Sequence, residues 1–263
     1  MTETTSTGRI ATAFDHGKAF IPFITAGDPD LATTEAVVKA MVGAGADLVE
    51  IGVPFSDPTA EGPVIEAADA RSLAGGTTTD GLFALVARLR ADGLTVPLVF
   101  MTYFNPIFAY GTDRFLDRAA KAGIDGLIVP DLPFEEKAEL AGPCHGHGLD
   151  LVSLVAPTSA ERVAAIAAGA EGFLYCVSSL GVTGVRETLG DHARHLVARA
   201  RQVTDVPCAI GFGISRPDQA QAMAEVSDGV IVGSAIVRLI AQHGRAAAPV
   251  VGEFVGSLKA AIA

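Results

Sequence analysis

A chain of 263 residues, 49% of them apolar and with 29 glycines and 14 prolines, has the length of one α/β barrel of about 250 residues and enough apolar material for a large core. Nineteen basic residues against 30 acidic ones leave a net charge of −11, which repels a phosphodiester backbone and offers no basic footprint for nucleic acid. A phosphate ester is not excluded, because backbone N–H groups and helix N-termini hold phosphate without lysine or arginine.

Cys144, Cys176 and Cys208 are odd in number and far apart. They read neither as a disulfide framework nor as a thiolate zinc site, and they suit a reducing cytoplasm. The segment Met1–Gly8 is polar, with no apolar stretch of the kind an export signal carries, and no apolar run approaches the roughly 18 residues of a membrane span. These features predict a cytoplasmic protein.

A short helix is predicted around Ile10–His16. From there β-rich runs alternate with amphipathic, alanine-rich stretches, the signature of a parallel sheet. Strands are predicted at Ala19–Thr25, Asp47–Gly52, Pro97–Tyr103, Gly126–Pro130, Asp150–Val155, Gly172–Val177, Pro207–Gly211 and Gly229–Val232. Helical patterns between them cover Leu31–Val42, Gly81–Ala91, Asp113–Ala122, Phe134–Ala141, Ala160–Ala168, His192–Val203, Pro217–Glu225 and Ser234–Ala241, and a last helix covers Ala247–Ile262. Eight strand–helix units predict a (β/α)8 TIM barrel, one domain over residues 1–263 with an extra N-terminal helix, because an open doubly wound sheet more often stops at about five or six strands. Longer connections follow the first strand (Ala26–Pro29), the second (Pro54–Gly76) and the sixth (Ser178–Gly190). All three fall on the side where barrel active sites are built.

In the second strand, Asp47-Leu48-Val49-Glu50-Ile51-Gly52, alternation places Glu50 inside the barrel if Val49 and Ile51 face the helices. A carboxylate there loses hydration and must be paired, neutralised or used in chemistry. Glu61 follows in a run with prolines at 54, 58 and 63 that restrict the backbone and hold carboxylates in fixed geometry. Two or three acidic groups facing one cavity can move protons between heteroatom and carbon; the same run also reads as a rigid turn in which Asp57 satisfies backbone amides.

Three glycine turns come late: Gly181-Val182-Thr183-Gly184, Gly211-Phe212-Gly213-Ile214-Ser215 and Gly233-Ser234, the last opening a helix. Their order matches the loops and helix N-terminus with which such barrels bind phosphate. Tyr175 shares its parity with Phe173 and lies either inside the barrel near the rim or against the helices. Phe23, Phe100 and Tyr103 are candidates to line an aromatic-binding pocket, core packing being the competing reading. Cys144-His145-Gly146-His147 reads as a surface turn and His192 and His195 as a solvated helix face, so no metal is assigned.

The run Phe20–Pro29, the block Glu50–Pro63 with its Pro-Phe-Ser-Asp-Pro, Asp131, Tyr175–Gly184 and Gly211–Ser215 together resemble the tryptophan synthase α-subunit family, in the same order and across essentially the whole chain. The resemblance implies retro-aldol cleavage of indole-3-glycerol phosphate to indole and glyceraldehyde 3-phosphate. It implies that Glu50 shuttles protons and protonates indole C3 with help from Tyr175, and that a second carboxylate, here Glu61, meets the indole N–H. The family usually has Asp at this second position, so the charge is kept and the reach is longer by one methylene. It also implies a mobile loop at Ser178–Gly190, with Thr183 bonding the second carboxylate on closure; Ser179 stands where many relatives carry Arg. No redox cofactor or Schiff-base lysine is required. The partner implied is a pyridoxal-phosphate β subunit in an α2β2 heterotetramer, contacted through the loop around Asp57 and through Asn105 and Pro106. Two competing readings share the resemblance: a free-standing indole-releasing lyase, and a catalytically weak regulatory partner of a β subunit. A different phosphate-binding barrel is the reading that fold alone leaves open.

Overall fold

The computed structural model describes residues 8–177, 189–211 and 213–263. Eight strands, β1 (Ala19–Thr25), β2 (Val49–Gly52), β3 (Leu98–Met101), β4 (Gly126–Ile128), β5 (Asp150–Val155), β6 (Leu174–Val177), β7 (Cys208–Gly211) and β8 (Gly229–Val232), pair in sequence order into a closed, all-parallel barrel. The helices among the described residues are α1 (Arg9–Thr12), α2 (Leu31–Gly43), α3 (Pro63–Ala74), α4 (Thr79–Ala91), α5 (Phe104–Tyr110), α6 (Thr112–Ala122), α7 (Ala138–Gly146), α8 (Ala160–Ala168), α9 (Leu189–Ala200), α10 (Pro217–Ala224), α11 (Ser234–His243) and α12 (Ala247–Ile262). None of them is long and apolar enough to cross a membrane.

Side-chain alternation divides the core in two. Ala19, Ile21, Leu48, Val99, Ile128, Val152, Phe173, Ala209 and Ile231 fill the barrel, while Val49, Ile51, Phe100, Leu127, Cys176, Cys208 and Val230 face the helices. The barrel floor is closed by α1, whose Ile10 packs with the interior cluster. A Cβ at Gly126 would lie 2.8 Å from Ile10 Cδ1, so the absence of a side chain there is what seats the plug. Beside it the buried Asp125 accepts from Arg9 Nε and Arg90 Nη2, both at 2.6 Å, and from the Leu98 N–H at 2.8 Å. A buried carboxylate saturated in this way fixes geometry, and removing one partner leaves a buried charge unpaired.

At the opposite end, α3 is tied to the end of β1: Arg71 bonds Asp28 through both Nε (2.8 Å) and Nη2 (2.7 Å), and Ser72 Oγ donates to the Ala26 carbonyl at 2.6 Å. The connection expected over Pro54–Gly76 is therefore largely helical. Gly62 precedes the helix in extended conformation, Pro63 takes the first helical position and Glu66 sits in the first turn, where a missing N–H and a negative charge are both favourable. Another short helix, α5, lies within what the sequence left as a connection, with the Asp131 carboxylate accepting the Phe104 N–H at 2.9 Å. The first helix is shorter than expected. The second strand starts two residues later than predicted, because Asp47 satisfies the Phe20 N–H and Lys259 with its side chain, each at 2.7 Å.

Candidate active site

Glu50 stands on β2 in register with Phe23 of β1 and Val99 of β3, pointing inward as its neighbours Val49 and Ile51 pack outward. It is fully buried, and neither carboxylate oxygen has a hydrogen-bond partner among the described residues. Loss of hydration, followed by the charge of Glu61, pushes its carboxyl from the ordinary 4.5 up to about 8. A buried acid without a cation or a donor holds its proton at neutral pH.

Tyr175, inward on β6 with Phe173, lines a cavity of about 620 Å³ at the barrel mouth together with Met101, Thr59 and Ala60. Burial, then the charge of Glu50, raises its hydroxyl well above the ordinary range. A Cβ at Gly211 on the neighbouring strand would lie 2.6 Å from Tyr175 Oη, so this glycine makes room for the tyrosine.

Glu61 lies between β2 and α3, half-buried, and Tyr103 donates its hydroxyl hydrogen to Glu61 Oε2. The Tyr103 hydroxyl oxygen in turn accepts the N–H groups of Thr59 at 3.1 Å and Ala60 at 2.9 Å, which uses the full capacity of a phenol. Desolvation raises the Glu61 carboxyl, the Tyr103 hydrogen bond opposes the rise, and Glu66 and Asp131 add to it. Burial and the bond to Glu61 in turn raise the Tyr103 hydroxyl. Phe23 is inward and 4% exposed. Its ring occupies space where a Cβ at Gly52 would come within 2.7 Å and one at Gly233 within 3.2 Å.

Phe100 belongs elsewhere. It aligns with Ile51 and Leu127, all three on the helix-facing side, and packs against Phe83 with ring centroids 6.1 Å apart. Alternation brings Met101 rather than Phe100 to the mouth. On the far side of the opening, Gly213 after β7 has φ +77°, and Gly233 after β8 leads into Ser234 at the first position of α11. The first amides of a helix lack carbonyl partners within it and form the positive end of its dipole, a ready anion site. Thr183, Gly184 and Phe212, with most of the loop expected at Ser178–Gly190, lie outside the described residues.

The family model described as Tryptophan synthase alpha chain matches residues 11–262. The chain belongs to the tryptophan synthase alpha chain family. It is 50% identical to the tryptophan synthase alpha chain of Geobacter sp. (strain M21) over 254 residues, 95% of each chain, and 50% identical to that of Shouchella clausii over 232 residues, 88% of this chain and 86% of the relative. Among solved structures, tryptophan synthase subunit alpha from Legionella pneumophila str. Paris superposes with a TM-score of 0.88 at 36% identity, covering 97% of this chain and 98% of that one. An open form of tryptophan synthase from M. tuberculosis gives 0.86 at 34% identity, covering 97% and 98%. As a tryptophan synthase alpha chain it is a carbon–carbon lyase that cleaves indole-3-glycerol phosphate, and it works with a β subunit in an α2β2 assembly.

In this alpha chain Asp57 and Asn105 are exposed and Pro106 is half-buried. Asn105 borders a groove of about 450 Å³ with Phe104, Phe108, Leu132 and Pro133. Phe108 is 69% exposed and stacks on Phe104, an apolar surface of the kind that marks an interface. His145 pairs with Glu171 at 2.7 Å and His147 with Asp113 at 2.9 Å, away from the mouth.

Met101, Thr25 and Asp69 belong to the rim and escaped the sequence reading. Met101 shares parity with Val99, which already points inward. Thr25 shares parity with Phe23. Asp69 falls on the buried face of α3 with Ala68 and Ser72, so a helical reading of Pro63–Ala74 marks it as a carboxylate on an apolar stripe.

Proposed function

We propose that Glu50 carries the protons of the α reaction. It protonates indole C3 of indole-3-glycerol phosphate; the bond from C3 to the glycerol carbon then breaks as the hydroxyl on that carbon loses its proton to become the aldehyde of glyceraldehyde 3-phosphate. One proton is gained at carbon and one is lost from oxygen, so a single group can serve both as acid and as base. Glu61 accepts the indole N–H and stabilises the positive charge that develops on the ring. Tyr175 assists Glu50, Phe23, Tyr103 and Met101 flank the indole, and Gly213, Gly233 and Ser234 with Thr183, Gly184 and Phe212 hold the phosphate end. Asp57, Asn105 and Pro106 contact the β subunit, and the protein acts in the cytoplasm.

The observation that carries this reading is a carboxyl buried inside the barrel with no partner for either oxygen among the described residues and its pKa raised to about 8. A structural carboxylate is paired, as Asp125 is; an acid kept protonated near neutral pH suits proton donation to carbon. The test is indole release from indole-3-glycerol phosphate by the purified chain, alone and with a tryptophan synthase β subunit. Slow release that rises strongly on adding the β subunit is expected. No release in either case overturns the assignment of the residues.

A further inference from the structure

The buried face of α3 consists of Ala68, Asp69 and Ser72. Ala68 packs on Phe23 and Ser72 bonds the Ala26 carbonyl, but Asp69 is a carboxyl only 4% exposed. It makes no ion pair among the described residues; the charged groups facing it are the carboxylates of Glu61 and Asp28, and Arg71 is committed to Asp28. Its neighbours on the polar side are the Phe55 N–H and the Thr25 hydroxyl, both of which favour its charged form. That hydroxyl is itself 2% exposed and, though beside the Asp69 carboxyl, makes no hydrogen bond of proper geometry among the described residues. These contacts place Asp69 between two parts of the site. Thr25 ends β1, two residues beyond Phe23, which is in register with Glu50. Phe55 lies in the connection between β2 and α3 that carries Glu61.

We propose that Asp69 is a positioning residue for the α reaction: it holds the Phe55 end of the connection that presents Glu61, and its carboxyl stands beside that of Glu61 as a second desolvated acid. The proposal rests on the reading of Glu61 as the carboxylate that meets the indole N–H. Burial, then the charge of Glu61, pushes the Asp69 carboxyl from the ordinary 3.8 up to about 7. Below that pH Asp69 is neutral; above it a second charge joins the rim, and each of the two carboxyls alters the field the other feels.

Asp69→Asn keeps the size and an oxygen for the Phe55 N–H but cannot titrate, while Asp69→Ala also removes the anchor. With the β subunit bound, kcat/KM of the wild type should show an inflection near pH 7 that Asp69→Asn abolishes, and Asp69→Ala should lower kcat/KM by about tenfold or more across the range. The second measurement is a 13C NMR titration of the side-chain carboxyls, which does not depend on turnover or on the alanine variant folding. The Asp69 midpoint, about 7 in the wild type, should fall in Glu61→Gln. An Asp69→Asn profile that superimposes on the wild type overturns the proposal, as does an Asp69 midpoint unmoved by Glu61→Gln. Full turnover in Glu61→Gln overturns the assignment of Glu61 and the proposal with it; an inactive Glu61→Gln with an unmoved Asp69 overturns the proposal alone.

Discussion

Replacing Glu50 by Gln should abolish cleavage and at the same time stabilise the fold at neutral and alkaline pH. In the unfolded chain the carboxyl titrates near 4.5, and in the folded barrel it is raised to about 8. Between these values the folded state binds the additional proton, so wild-type stability falls as pH rises through that window and is unaffected below it. Each tenfold in proton affinity is worth about 1.4 kcal/mol. The penalty is then about 3 kcal/mol at pH 7 and levels off at about 5 kcal/mol above pH 8. Glutamine has nearly the same volume and leaves polar atoms equally unpartnered, but it has no proton to lose. Urea unfolding of both proteins from pH 5 to pH 9, with indole release measured on the same samples, tests this. The stability difference should grow with pH toward a plateau. A difference independent of pH would refute the argument that Glu50 is protonated by desolvation, and near wild-type turnover in the variant would refute its role as proton carrier.

Tyr103→Phe removes the donor to Glu61 and the acceptor for two backbone N–H groups; loss of such partners costs about 1–3 kcal/mol, so kcat/KM should fall about tenfold and the acid limb of its pH profile should move upward, since the Tyr103 bond lowers the Glu61 carboxyl. An unmoved acid limb would show that Glu61 does not depend on Tyr103. Gly211→Ala brings a methyl to 2.6 Å from Tyr175 Oη and should cost about 1–3 kcal/mol by overpacking, with a larger fall in indole release than in melting temperature; full activity would mean that Tyr175 needs no fixed position. Glu61→Asp shortens the carboxylate to the usual family length and should preserve or increase indole release. A large loss there would show that the surrounding backbone is fitted to the longer side chain.

The barrel was legible because its strands alternate so regularly with helical stretches: β1, β5 and β8 have the predicted bounds, as do α8 and α12. Glu50 was legible from one strand of six residues, since burial of Val49 and Ile51 on one face leaves the other for it. The same parity argument, not carried through on β3, assigned Phe100 to the pocket when Val99 and Met101 hold that face. What escaped was helical structure inside connections. With Pro54–Gly76 taken as an extended segment, Asp69 had no face to be on, and the hydrogen bond joining Tyr103 to Glu61 across 42 positions has no local signal in sequence at all. Its donor was expected at the indole as an aromatic wall, and the structure gives its hydroxyl to the carboxylate.

The placement of charge explains how a chain with net charge −11 can act on a phosphate ester. At the floor a carboxylate is matched by two arginines, and that end holds the barrel shut. At the mouth Glu50, Glu61 and Asp69 are desolvated and make no ion pair with a cation among the described residues, an arrangement that lowers stability but favours positive charge on a ring placed among them. The substrate carries its negative charge at the other end of its length. Acids occupy the β2–β3 side of the opening, while the glycines and the first amides of α11 occupy the β7–β8 side. Phe23 on β1 stands between the two, its ring seated against Gly52 on one flank and Gly233 on the other. In the binding mode proposed above, an apolar wedge there would limit the screening that water provides and keep each end of the substrate in the field suited to it.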